Sequence, residues 1–209
     1  MKISYAITVC NEFIEIQRLI TFLLERKRPQ DEIVVLVDTT KAVPELISYL
    51  AHCERHHEGH MTTWKDEFKG NFADWKNKLT SYCNGDYIFQ IDADEMPCTP
   101  IMEALPGILS ANDGVDMIWV PRVNTVPDIT VDHIKKWGWR VNSEGWINWP
   151  DWQGRIYKNH PSIQWENKVH EKLTGIKTFA QLPMEEDYSL YHPKTIERQV
   201  KQNEYYDTL

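Results

Sequence analysis

The stretch Tyr87-Ile88-Phe89-Gln90-Ile91-Asp92-Ala93-Asp94-Glu95 constrains this chain more than any other. Strand-favouring residues run straight into acids, with Gly85-Asp86 before them and Pro97 after. Tyr, Ile and Phe favour a pleated, buried setting, so a central strand is predicted here. Its acids then fall just past the carboxyl end, where open α/β sheets bind ligands. In an extended tip, the Asp92 and Asp94 side chains point the same way. Paired hard carboxylates suit Mg²⁺ or Mn²⁺, ions that usually also hold a substrate phosphate. The competing reading is an acidic turn that caps the next helix.

The neighbouring segments predict an α/β fold. Residues 3–9 form a first strand and Asn11 is its candidate helix N-cap. Ile16, Leu19, Ile20, Leu23 and Leu24 then mark one helical face, stopped by Pro29. Residues 33–37 are uniformly apolar, as buried parallel strands tend to be, and lead into Asp38. Helices are expected from Pro44, over 72–83 and from Thr99, the last shortened or kinked by Pro106. Short strands are expected over 61–64 and 115–120. After Arg122 the texture becomes irregular, and five of the nine tryptophans fall between Trp137 and Trp152. Short strands over 153–157, 162–165 and 188–192 and a closing helix over 195–206 complete the reading.

With 209 residues the chain is expected to be one domain, large enough to bury a core. A net charge of -8 argues against a nucleic-acid surface, which needs clustered Lys and Arg. Cys10, Cys53, Cys83 and Cys98 form no C-x-x-C pair and read as reduced, buried thiols. His52, His56 and His60 share a helical spacing, but no acid or cysteine converges on them in sequence, so a solvated turn is favoured over a metal site. No signal-peptide core and no apolar run of membrane length is present, so a cytoplasmic protein without a membrane span is expected.

Several segments in order resemble glycosyltransferase family 2, with the GT-A fold. They are Ala6-Ile7-Thr8-Val9-Cys10-Asn11-Glu12, Val37-Asp38, Phe72-Ala73-Asp74-Trp75-Lys76-Asn77, the 86–95 stretch, Trp152-Gln153-Gly154-Arg155-Ile156-Tyr157 and Lys168-Val169-His170-Glu171. Their order and spacing are similar to the lipopolysaccharide-core type of bacterial β-glycosyltransferases. The resemblance implies a Rossmann-like three-layer sandwich with a mostly parallel central sheet. It implies a nucleotide-sugar half at 1–122 and an irregular, aromatic-rich acceptor half at 123–209.

It also implies site roles. Asp38 would contact the nucleoside, Asp92 the ribose and the metal's water, and Asp94 the divalent ion that bridges the donor's phosphates. His170 or His192 would complete the metal shell. Arg155 would meet the phosphates, and Asn11, Asp74 and Asn77 would help line the donor pocket. Inversion at the sugar needs a base for the acceptor hydroxyl; Glu171 is the candidate and Asp151 the reserve. The expected partners are a nucleoside diphosphate sugar, uridine by default, and a glycan or other hydroxyl acceptor. One or two of Trp137, Trp139, Trp146, Trp149 and Trp152 are expected at the acceptor cleft. The departure is Asp38-Thr39-Thr40-Lys41, where many relatives carry further acid and hydroxyl residues. The alternatives are a sugar nucleotidyltransferase, which would want a glycine-rich loop where Cys10-Asn11-Glu12 stands, and a non-catalytic carbohydrate-binding protein.

Overall fold

Ile3, Tyr5, Ile7 and Val9 face one core and Ala6 the other, so the first strand is buried on both sides. That is why it carries no charged residue. In the computed structural model, which describes residues 1–206, the chain runs β1 (Ile3–Val9), α1 (Phe13–Arg26), β2 (Glu32–Asp38), α2 (Pro44–His56), β3 (Met61–Asp66), α3 (Phe72–Ser81) and β4 (Tyr87–Asp92). It continues through β5 (Met96–Pro97), α4 (Thr99–Ala111), β6 (Met117–Val120), β7 (Arg122–Thr125), α5 (Val131–Trp137) and β8 (Gln153–Lys158). It ends with β9 (Gln164–Glu166), β10 (Lys172–Thr174), β11 (Phe179–Gln181), a 3-10 turn at Glu186–Tyr188, β12 (Leu190–Pro193) and α6 (Ile196–Tyr206).

The main sheet has seven strands in the order β11-β6-β8-β4-β1-β2-β3. Every pairing in it is parallel except the two made by β8, which lies antiparallel between β4 and β6. Ile16, Leu19, Ile20 and Leu23 of α1, Leu46 and Leu50 of α2, and Leu105 and Leu109 of α4 cover one face. Ala73, Trp75 and Leu79 of α3, with Trp165 of β9, cover the other. The result is the three-layer sandwich expected. Each fully buried leucine here stabilises the fold enough that truncation to Ala costs about 2–5 kcal/mol.

Gly85 marks the entry to β4: a Cβ there would lie 2.6 Å from the Ser4 backbone nitrogen, so only glycine lets the chain pass this close to β1. Three local expectations are corrected. Asn11 is not the N-cap of α1; Glu12 is, and no side chain caps the helix, because the Glu12 carboxylate turns back to accept the Cys10 and Asn11 backbone N–H groups at 2.8 and 3.0 Å. Pro106 does not shorten α4, whose buried Ile101, Met102, Leu105 and Leu109 hold the turns on either side of it against the sheet. The 123–152 stretch is not wholly irregular, since it includes β7 and the short α5. Among the described residues, no helix is long and apolar enough to cross a membrane.

A second sheet positions the site. β12 pairs antiparallel with β5, just past Glu95, and parallel with β7. It thereby carries His192 to the tip of β4 and sets it opposite Asn124.

Candidate active site

Asp92 ends β4 beside Thr8 of β1, and Asp38 ends β2 beside Asp66 of β3, so the acids gather at one edge of the sheet. A cleft of about 960 Å³ opens there, and Asp38, Asp92, Asp94, Arg155, His170, Glu171 and His192 all line it. Asn11, Asp74, Asn77 and Asp151 do not form its wall.

Asp38 is held by donors on both oxygens. Its Oδ1 accepts the Thr40 N–H at 2.9 Å and the Phe68 N–H at 3.1 Å, and its Oδ2 accepts the Cys10 thiol at 3.4 Å. Burial works to raise its pKa, but these donors outweigh burial and hold the carboxyl below its ordinary range.

Asp92, expected near the ribose and the metal's water, has a cation near each of its oxygens. Its Oδ2 accepts Arg155 Nη2 at 2.5 Å, and Lys76 Nζ lies 3.7 Å from Oδ1. Burial opposes ionisation, yet the charges of Arg155 and then Lys76 push its pKa far below the usual carboxylate value. Arg155 continues to Glu95 Oε1 at 2.6 Å, Glu95 to Arg122 at 2.9 Å, and Arg122 to Asp151 Oδ2 at 2.6 Å. This alternating chain of charges fixes the tip from behind. β8 aims Arg155 into it with a bulge: Ile118 pairs with Ile156 and Trp119 with Gly154, so Arg155 is the extra residue. Arg155 is therefore a buried brace for Asp92 and Glu95, not a group presented to solvent for phosphates.

Asp151 is similarly committed. Its Oδ2 accepts Arg122 and Asn124, and its Oδ1 accepts Gln153. Burial works to raise its pKa, but the Arg122 charge and the surrounding donors outweigh burial and hold the carboxyl below its ordinary range. Asn77 does not face the donor pocket because both ends of its amide meet the Trp165 backbone at 2.8 Å, tying α3 to β9. Asp74 takes the Asn71 amide at 2.6 Å and closes the first turn of α3 on the exposed surface.

Asp94 meets His192 instead: Oδ2 lies 3.4 Å from Nε2, and Arg198 Nη2 stands 3.9 Å away. The imidazole tautomer follows from its neighbours. Asn124 spends its Nδ2 on Asp151 at 2.8 Å, which turns its Oδ1 to His192 Nδ1 at 2.7 Å. Nδ1 therefore carries the hydrogen in neutral His192, and the Nε2 lone pair faces Asp94. That is the outer-sphere arrangement of metal-binding histidines. Among the described residues no group of three or more His, Cys, Asp and Glu side chains converges into a closed metal site. Asp94 and His192 offer two donors, which suits an ion that keeps water and substrate phosphate in its shell. His170 lines the same cleft in left-handed backbone (φ 53°), in the β9–β10 loop.

Glu171, next in that loop, receives Lys76 Nζ at 2.6 Å. Lys76 is almost wholly buried and lies 4.6 Å over the Trp165 ring. Sequence reasoning did not pick out Lys76, although it stands one turn from both Phe72 and Leu79, on the inward stripe of α3. Arg122 and Asn124 also went unnoticed. Of the tryptophans singled out, Trp152 lines the cleft, while Trp137, Trp139, Trp146 and Trp149 do not and pair with one another at 4.7–4.9 Å. The His52 and His56 rings lie 4.1 Å apart, tilted by 51°, while His60 turns to Lys27.

No family model matches the chain, and no curated protein matches it. Solved structures do. S. aureus TarS superposes with a TM-score of 0.63 at 11% identity, over 96% of this chain and 38% of TarS. TarS 1–349 in complex with UDP-GlcNAc gives 0.63 at 13% identity, over 93% of this chain and 59% of that one. Its UDP complex gives 0.62 at 12%, over 96% and 63%. The chain thus spans less than two thirds of the structures it is similar to. The likeness shows the fold: the Rossmann-like GT-A sandwich, with a mostly parallel central sheet.

Proposed function

We propose that this chain is an inverting, metal-dependent glycosyltransferase of the family 2 kind, moving a sugar from a nucleoside diphosphate donor, by default a UDP-sugar, to an acceptor hydroxyl. The observation that carries the reading is the convergence of Asp38, the Asp94–His192 pair and Glu171 on one cleft at the sheet's carboxyl edge. The fold it shares with TarS, which has been solved with UDP-GlcNAc bound, supports the choice of donor.

Residues 1–122 hold the donor in this reading and residues 123–209 shape the acceptor side. Asp38, desolvated and already ionised, accepts hydrogen bonds from the nucleoside. Asp94 and His192 hold Mn²⁺ or Mg²⁺ together with the donor's phosphates. When bound, the ion supplies Lewis-acid stabilisation of the departing diphosphate. Asp92 keeps the tip in place through Arg155 and does not ligate. The acceptor oxygen bonds to the anomeric carbon as the bond from that carbon to the phosphate oxygen breaks, and Glu171 takes the hydroxyl proton. Lys76 holds the Glu171 carboxylate in position until then.

The nucleotidyltransferase alternative needs backbone N–H groups after β1 for a triphosphate. Here the Glu12 carboxylate occupies those of Cys10 and Asn11 and would repel such a ligand. A binding module without catalysis leaves the Lys76–Glu171 pair beside the donor tip without a purpose.

The test is a melting-temperature screen of sugar nucleotides with and without Mn²⁺, since a ligand of the native state raises the midpoint. UDP or a UDP-sugar with Mn²⁺ should raise it, and Asp94→Ala should remove the manganese-dependent part. No response to any nucleotide sugar would end the reading.

A further inference from the structure

Part of the cleft wall forms an apolar compartment that donor chemistry leaves unexplained. Beyond Arg155 its wall is Met117, Trp119 and Phe179 from the sheet, faced by Leu173 and Ile176 from the β9–β10 hairpin and its exit. Phe179 pairs with Met117 across β11 and β6, and Met117 and Trp119 alternate onto the same face of β6. Gly154 lets these walls converge: a Cβ there would lie 2.8 Å from Met117 Sδ, 3.6 Å from the Trp119 ring and 3.8 Å from Leu173 Cδ1. Phe179, 67% exposed, stands at the rim as a large apolar surface with nothing over it among the described residues.

None of these five side chains carries a charge, and only the Trp119 indole carries a polar hydrogen. A sugar ring or a phosphate would lose its water there without gaining partners. An apolar group would gain. Glu171 stands immediately before β10, two residues ahead of Leu173, and both line this cleft. A molecule with its hydroxyl at Glu171 therefore has Leu173 within the same cleft to receive its apolar part. The volume, about 960 Å³, is at the upper end of the roughly 300–1,000 Å³ typical of a ligand site, which leaves room for a second reactant beside the donor.

We propose that this compartment receives an aryl or alkyl group borne by the acceptor, so that the accepting hydroxyl belongs to an amphipathic molecule and not to a free, fully polar glycan. The inference rests on the glycosyltransferase reading for the identity of the reacting hydroxyl. The apolar slot itself does not depend on that reading.

The experiment is calorimetric titration of the UDP- and Mn²⁺-saturated protein with phenyl β-D-glucopyranoside and with methyl β-D-glucopyranoside, which differ only in the apolar aglycone. The phenyl compound should bind at least about tenfold more tightly, from the apolar area it buries. Phe179→Ser at the rim and Leu173→Ser on the hairpin should each cut that preference by about threefold or more, by the same area argument, with UDP affinity unchanged. Equal affinity of the two glycosides, no measurable binding of either, or a preference that survives both substitutions overturns the proposal. A phenyl preference in a protein that binds no UDP would remove the donor assignment and leave the slot standing.

Discussion

The Lys76 ammonium lies 2.6 Å from Glu171 Oε1, and the same nitrogen is 3.7 Å from Asp92 Oδ1. One buried cation thus joins the acid at the end of β4 to the acid of the β9–β10 loop. Lys76→Met keeps the packing on Trp165 and deletes the charge. It should cost about 1.5–3 kcal/mol of stability, the range for a charged hydrogen bond, because Glu171 can regain some water. If Glu171 is the base, the same change should lower kcat by roughly tenfold or more by leaving the carboxylate unplaced. Urea denaturation and steady-state transfer kinetics read the two effects, and an unchanged kcat would detach Lys76 from the chemistry.

Glu95 is the centre of the charge chain, 1% exposed, with Arg155 and Arg122 on one oxygen at 2.6 and 2.9 Å. Glu95→Gln leaves two buried guanidinium groups without their shared anion. A loss of about 3–5 kcal/mol is expected, as for other buried pairs stripped of one partner. Glu25→Gln breaks the exposed pair with Arg26 at 2.7 Å and should change stability by less than about 1 kcal/mol. Comparable urea midpoints for the two variants would mean that the inner chain does not hold the tip.

The contrast between these pairs also explains which parts of the molecule are legible in sequence. β1, α1, β2 and β4 announce themselves because burial on both faces of a strand, or along one stripe of a helix, leaves a periodic trace. α5 has no buried side chain, so it has no apolar stripe to read. The order of strands beyond β4 depends on β8 inserting antiparallel, a long-range pairing that no local pattern records. Among the site residues, Asp38, Asp94, Glu171 and His192 were identifiable by chemical type and position. Arg155, Asn77 and Asp151 were identifiable only as polar residues in suggestive places. Their partners, Glu95, Trp165 and Arg122, lie 60, 88 and 29 residues away; they make Arg155 a brace within the cleft wall and keep Asn77 and Asp151 out of that wall.

Cys10 gives an independent measure of the field at the end of β2. Burial, and then the Asp38 charge 3.4 Å away, push its thiol up to about 12. Only a minute fraction is thiolate at pH 8, so alkylation by iodoacetamide should be far slower than for an unperturbed cysteine near 8.5. Asp38→Asn removes the charge that ranks next to burial among the causes and should speed alkylation of Cys10 several-fold, followed by mass spectrometry of the Cys10 peptide. A rate that does not respond would mean that the Asp38 charge is not felt at the thiol.

Asp94 links the tip of β4 to the acid limit of stability. Burial alone would raise its pKa, but the His192 hydrogen bond and charge, with Lys194, bring it down to about 2 from the ordinary 3.8. A carboxyl depressed in the folded state contributes stability above its unfolded pKa and loses it as pH falls towards the folded one. The window therefore runs from about 4 down to about 2. A shift of this size corresponds to about 2 kcal/mol. Asp94→Asn cannot titrate, so the stability gap between wild type and this variant should be full at pH 5 and narrow by about 2 kcal/mol by pH 2. His192→Gln should flatten the same difference by returning Asp94 towards its ordinary pKa. Urea midpoints for the three proteins across that range decide the matter: a gap constant with pH would mean that Asp94 and His192 are neighbours without electrostatic coupling, and the ion-binding role assigned to them would lose its physical basis.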